Sequence, residues 1–180
     1  MEFGFVILTG HGIDRSTSKK AYDAAASFFS MSPELKKKYE NRQIGRQRGY
    51  TPVGKEKAKD TPFSDLKEFW HTGSDAVPGL PENLWPEEIP EMKTATMTLF
   101  NELNKVGYRL MEALEIFLEL KPQTLTEMLA GGNTVLRSVH YMVPTEQNPE
   151  QLWAAEHEDI NLMTLLIEAS GDGLEIKTRE

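Results

Sequence analysis

Between Pro90 and Leu120 the apolar residues Met92, Ala95, Leu99, Leu103, Val106, Leu110, Leu114 and Phe117 recur every three or four positions. That period is the stripe of an amphipathic α-helix, and Lys121-Pro122 closes it because proline cannot continue the hydrogen-bond ladder. At 1.5 Å of rise per residue the helix is on the order of 45 Å long. A single stripe of this length reads as the helix that backs the core of the fold, not as a cofactor box.

The segments around it are shorter. Phe3 to Leu8 is an apolar run closed by Gly10 and Gly12, read as a buried strand entering a turn. Arg15 to Phe29 carries Ala21, Ala25, Phe28 and Phe29 at helical spacing, with Asp14 or Ser16 as its cap. Ser32-Pro33-Glu34 restarts a helix, serine capping and proline at the first position, where its missing N–H is not needed. Residues 41 to 64 lack periodicity and read as a long surface loop, in which Tyr50 and Phe63 either anchor the loop or wall a pocket. His71, beside Phe69 and Trp70, reads as a packed, hydrogen-bonded histidine. Pro78, Pro81, Pro86 and Pro90 punctuate a turn-rich connection that Trp85 packs down. After a short helix from Thr124 to Leu129, residues 134 to 142 alternate as a strand. Val135, Arg137, Val139 and Tyr141 share one face, and Leu136, Ser138 and His140 the other.

The net charge of -8 and the absence of cysteine exclude several classes. There is no electrostatic footprint for nucleic acid or an anionic membrane, no thiolate site and no disulfide, which fits a cytoplasmic protein. The lysines at 36 to 38 and those from 55 to 59 read as solvated surface. No apolar run approaches the roughly 20 residues of a membrane helix, and Met1-Glu2-Phe3-Gly4 is not a basic leader.

Chemistry enters at Ala155-Glu156-His157-Glu158-Asp159, at the mouth of the apolar run Ile160 to Ile167. In extended backbone His157 and Asp159 point to one face, with Glu158 turned away. A neutral imidazole and a carboxylate so placed can hold a metal, and a second histidine elsewhere would complete a 2-His-1-carboxylate triad of the non-haem Fe(II) type. In so acidic a chain the pair carries weight only through its context.

That context resembles a known family. His157-Glu158-Asp159, then Leu162-Met163-Thr164-Leu165-Leu166 and Gly173-Leu174-Glu175-Ile176, is similar to the first half of the catalytic core in the isopenicillin N synthase-like Fe(II)/2-oxoglutarate oxygenases. Upstream, Gly4-Phe5-Val6-Ile7 with His11-Gly12-Ile13, Phe28-Phe29, Ser32-Pro33-Glu34-Leu35-Lys36, Gly49-Tyr50, Glu56, Asp65-Leu66-Lys67-Glu68, and Leu136-Arg137 with His140-Tyr141 follow in the family's order. The resemblance covers residues 3 to 180. It implies an α+β chain: an N-terminal α/β region over 1–133 with a helical layer and long backing helix, then over 134–180 the first part of a double-stranded β-helix (jelly-roll) core, here incomplete.

The resemblance further implies Fe(II) held by His157 and Asp159, and 2-oxoglutarate as cosubstrate, its carboxylate oriented by Tyr141 with help from Arg137. Dioxygen and a small-molecule substrate would be the partners, with hydroxylation, desaturation or ring closure at a C–H bond. The family's second iron-binding histidine and its Arg-x-Ser lie on a later strand. Here no histidine follows His157 and the only later arginine is Arg179. Three readings therefore stand: the first part of such an oxygenase; a non-catalytic interaction module, open to self-association through an incomplete sheet; or an enzyme whose third ligand is His11, His71 or a residue of a second subunit.

Overall fold

The computed structural model describes residues 4–43, 45–57, 63–75, 77–143 and 152–177. The expected strand over Phe3 to Leu8 therefore falls partly outside them, as does Lys59 of the lysine cluster.

Helix α1 (Arg15–Phe29) starts where Asp14 accepts the Ser16 N–H at 2.6 Å. Helix α2 (Pro33–Lys37) is capped by Ser32, whose side chain accepts from Leu35 N, with Pro33 in its first turn. Strands β1 (Gly49–Thr51) and β2 (Lys67–Gly73) precede the long helix α3 (Glu91–Phe117), which spans about 40 Å at 1.5 Å per residue. Helix α4 (Thr124–Ala130) and strand β3 (Val135–Tyr141) follow. Helix α4 has no cap of its own. Instead the Glu115 carboxylate of α3 accepts the N–H groups of Gln123, Leu125 and Thr126, taking up the amides that a helix start leaves unpaired.

The three strands form one antiparallel sheet in the order β1-β2-β3. The register sets Tyr50 against Trp70, and Lys67, Phe69 and His71 against Tyr141, Val139 and Arg137. Period two then sorts the side chains. Tyr50, Glu68, Trp70 and His140 face the helices, while Lys67, Phe69, His71, Arg137 and Tyr141 take the opposite face. The helix-facing core gathers Ala24, Phe28, Phe29, Tyr50, Trp70, Ile89 and Met92, with Trp85 packed at its edge. Phe28 and Trp70 are wholly buried and meet edge to face with centroids 4.7 Å apart, the geometry that aromatic quadrupoles favour.

Four expectations need correction. The segment 41–64 is not all surface loop: it contains β1, and Tyr50 is buried with its hydroxyl on Glu68, so this ring is an anchor. Gly49 opens β1 at φ 81°, where an added Cβ would lie 2.5 Å from the Tyr39 carbonyl oxygen, so only glycine passes there. Lys36 is not solvated surface; it is buried against Glu68 at 2.8 Å, because α2 lays it across the sheet. Phe5, Val6, Ile7 and Leu8 are exposed and belong to no strand, since no other described strand pairs with them. Residues 162–167 and 173–177 likewise form no ladder among the described residues.

The far end of α3 also departs from its stripe. Ile116 and Phe117 are exposed, and burial ends near Met111 and Glu115. No helix among the described residues is long and apolar enough to cross a membrane.

Candidate functional site

Strand β3 presents Arg137 and Tyr141 on the sheet face away from the helices, and each is held by neighbours from distant parts of the chain. The Arg137 guanidinium lies 4.4 Å from the Phe69 ring centroid, a cation–π contact. Its Nε donates to His71 Nε2 at 2.8 Å, and one terminal nitrogen reaches both Glu56 oxygens at 3.1 Å. The other imidazole nitrogen of His71, Nδ1, lies 3.0 Å from the Arg46 carbonyl, which can only accept. His71 therefore carries its proton on Nδ1 and accepts from Arg137. Burial first, and then the Arg137 cation, push its pKa down to about 4, so the ring is neutral near pH 7. Glu56 also takes Lys67 Nζ at 2.7 Å. Burial raises its carboxyl, but the Lys67 and Arg137 cations outweigh that and hold it below the ordinary carboxylate range.

Tyr141 is half exposed and stacks on Trp153, centroids 5.8 Å apart and planes 29° apart. The Trp153 indole N–H donates to the Met142 carbonyl at 2.7 Å. Its far edge meets Gly173, where an added Cβ would lie 2.8 Å from the ring at φ 126°. Trp153 thus joins β3 to the segment carrying the expected metal pair.

That pair is brought together. His157 Nε2 lies 3.6 Å from Asp159 Oδ1, both side chains about half exposed. His157 Nδ1 lies 2.8 Å from the Ala155 carbonyl, so Nδ1 carries the proton and the Nε2 lone pair faces Asp159. The Thr164 hydroxyl donates to the second Asp159 oxygen and accepts from Asn161 Nδ2 at 3.0 Å. Bonds of about 2.1 Å from nitrogen and oxygen to a divalent first-row ion put two ligands at right angles about 3 Å apart. A closure of about 0.6 Å would therefore let the pair share one ion, and the free Nε2 lone pair suits it. The donor set fits iron in these two positions.

No third partner joins them: among the described residues no cluster of three His, Cys, Asp or Glu side chains is placed to hold a metal. Of the expected third ligands, His71 spends both ring nitrogens on protein partners, and His11 accepts the Ile13 N–H. His140 faces the helices, stacked on Phe29 and 2.9 Å from Glu68.

Sequence reasoning did not single out Trp153, Thr164 or Asp65 for the site. Asp65 and Glu56 were visible only as members of ordered motifs, and Thr164 as one residue of an apolar run. A lone tryptophan upstream of a histidine carries no signal by itself.

The N-terminal family described as non-haem dioxygenase in morphine synthesis matches residues 1–88. The 2-oxoglutarate-dependent dioxygenase traH of Penicillium crustosum is 26% identical over 98% of the chain, and ucsF of Acremonium sp, with the same description, is 28% identical over 99%. A crystal structure of a 2OG-Fe(II) oxygenase family protein from Caulobacter crescentus superposes on 81% of the chain with a TM-score of 0.69 at 37% identity. Along most of its length the chain is similar to Fe(II)/2-oxoglutarate-dependent oxygenases. A full-length Neurospora crassa protein, solved in complex with alpha-KG, superposes on 82% of this chain with a TM-score of 0.69 at 25% identity. The chain spans 58% of the traH and ucsF sequences and about half of each of the two solved chains, 50% and 49%.

Proposed function

We propose that the chain carries part of the active site of a non-haem Fe(II)- and 2-oxoglutarate-dependent oxidoreductase that acts on a C–H bond of a small molecule, by hydroxylation, desaturation or ring closure. His157 and Asp159 hold the iron. Tyr141, and Arg137 on the same strand face, serve the carboxylate of 2-oxoglutarate. In this reading 1–133 is the N-terminal region, and 134–180 begins a double-stranded β-helix whose inner face is the one bearing Arg137 and Tyr141.

The observation that carries the proposal is the 3.6 Å approach of His157 Nε2 to Asp159, with the imidazole proton held on the opposite nitrogen by Ala155. When bound, the iron supplies dioxygen activation coupled to decarboxylation of 2-oxoglutarate. The chain's own contribution is to present an imidazole and an oriented carboxylate, and to carry on strand β3 a phenol and a guanidinium, both donors suited to a carboxylate. The names of the curated relatives and the 2OG, Fe and JA in the JOX2 structure, a match at TM-score 0.65, support the choice of metal and cosubstrate.

Anaerobic Fe(II) titration of the 180-residue chain, with and without 2-oxoglutarate, tests this. Binding should require both residues, so that His157→Ala and Asp159→Ala abolish it, and should tighten with 2-oxoglutarate. A folded chain with no specific binding would reject the metal reading. It would favour the interaction module instead, to which the exposed Ile160, Leu162 and Leu166 lend support.

A further inference from the structure

The His157 segment lies outside every described strand, so no ladder sets its position. Besides Trp153, the start of β2 ties it down. Leu66 N–H donates to the Leu152 carbonyl at 3.0 Å, and the Leu66 carbonyl accepts from Met142 N–H at 2.8 Å. This one residue ties the end of β3 to the beginning of the metal segment. Asp65, only 4% exposed, makes the next tie. Its Oδ2 lies 2.9 Å from Lys67 Nζ, and its Oδ1 accepts the Ala155 N–H at 3.2 Å. Ala155 is itself buried, and its carbonyl accepts the hydrogen bond from His157 Nδ1–H.

We infer that Asp65 is a positioning residue for the metal pair: its Lys67-bound carboxylate fixes Ala155, and Ala155 fixes the tautomer and direction of the His157 imidazole. The inference rests on the metal reading for its purpose, but its geometry is independent of any ion. A neutral imidazole has one N–H. While Ala155 holds it on Nδ1, the Nε2 lone pair faces Asp159. Without that hold the ring is free to adopt the other tautomer, which turns an N–H toward Asp159 and closes the position to an ion. Partners of this indirect kind typically change metal affinity 10–100-fold when lost.

Nitrogen-15 NMR of the metal-free 180-residue chain reads the tautomer directly, and Fe(II) titration reads the consequence. The parent His157 should be protonated on Nδ1. Asp65→Ala should lower that population and weaken Fe(II) binding by about 10–100-fold. Asp65→Glu keeps the charge beside Lys67 while moving the oxygens off Ala155, and should do the same in a variant that stays folded. Asp65→Asn keeps an acceptor oxygen in place and should restore most of both readouts. Glu68→Gln, a buried carboxylate on the opposite sheet face, should lower thermal stability and move neither. The inference is overturned if folded Asp65→Ala and Asp65→Glu keep the parent tautomer, or if Glu68→Gln shifts it equally. A parent chain that binds no Fe(II) would refute the metal reading alone, because the tautomer is measured without metal.

Discussion

Replacing Lys36 by methionine should destabilise the chain far more than removing any surface lysine. Lys36 Nζ lies 2.8 Å from both Glu68 oxygens and donates to the Phe29 carbonyl at 3.0 Å, with side-chain exposures of 9% for Lys36 and 2% for Glu68. Taking such charges out of water costs several kcal/mol per ion, which is offset by an attraction of about 6 kcal/mol at 2.8 Å and an effective dielectric near 20, together with the hydrogen bonds to Phe29, Tyr50 and His140. The intact pair is therefore close to neutral, but a broken one leaves a buried carboxylate with only the Tyr50 hydroxyl and His140. Breaking a buried pair this way costs about 3–5 kcal/mol. For a chain of this size that is a fall in Tm of about 6–20 °C.

The structure also gives the sign of the pH effect. Burial raises the Glu68 carboxyl, but its hydrogen bonds from Lys36, Tyr50 and His140 outweigh this and hold its pKa below the ordinary value. A depressed carboxyl contributes stability above its unfolded pKa and loses it as the pH falls through the folded one. The penalty of Lys36→Met should therefore be largest near pH 7 and shrink as the pH falls, because protonation neutralises the stranded Glu68 carboxylate. Urea unfolding at pH 7, followed by tryptophan fluorescence and circular dichroism, measures the main effect. Lys19→Met, which removes the exposed pair with Asp23, should cost no more than about 0.5 kcal/mol. The double variant Lys36→Met/Glu68→Gln, with no charge left to strand, should recover at least about 1 kcal/mol of the single loss. A single variant no worse than Lys19→Met, or a double variant no better than the single, would refute the reasoning.

Three other outcomes follow from particular contacts. His71, with a folded pKa of about 4 against an ordinary 6.5, binds fewer protons folded than unfolded, so its contribution is full above pH 6.5 and lost as the pH falls toward 4; urea unfolding at pH 7 and pH 5 should differ by about 2 kcal/mol from this group, and His71→Gln should remove that difference. Phe28→Ala, which empties the centre of the aromatic cluster around Trp70, Tyr50 and Tyr39, should cost about 3–5 kcal/mol in the same assay. Thr164→Val removes the hydroxyl on Asp159 with little change in volume, and should weaken Fe(II) binding by about 10–100-fold in anaerobic titration while leaving the Tm within about 2 °C.

The residues differ in how far their roles could be read before the fold was known. Asp14, Ser32-Pro33 and the stripe along α3 announced themselves because capping and helical period are local, and each element lies within a few residues of its expected bounds. The His157-Asp159 pair was legible for a similar reason, since its partners are two residues apart. Strand β2 was not legible. Lys67-Glu68-Phe69-Trp70-His71 buries polar and apolar residues alike on both faces, so the alternation that marks a half-solvated strand is absent. Lys36 misled for a related reason: its charge looks like surface until Glu68, from another element, neutralises it.

Local pattern alone was therefore enough to specify, to within about a turn, where the helices begin and end, which face α1 and the first part of α3 bury, and which histidine and carboxylate stand together. Tertiary structure decided the rest: that Lys36 is buried, that His71 is neutral and Arg137 is engaged by Glu56, and that Asp65 reaches Ala155 across 90 residues of chain. The physical reason is range. Helical period and capping are settled within one or two turns of backbone, whereas the protonation, orientation and burial of a polar side chain depend on whichever distant group the fold sets beside it.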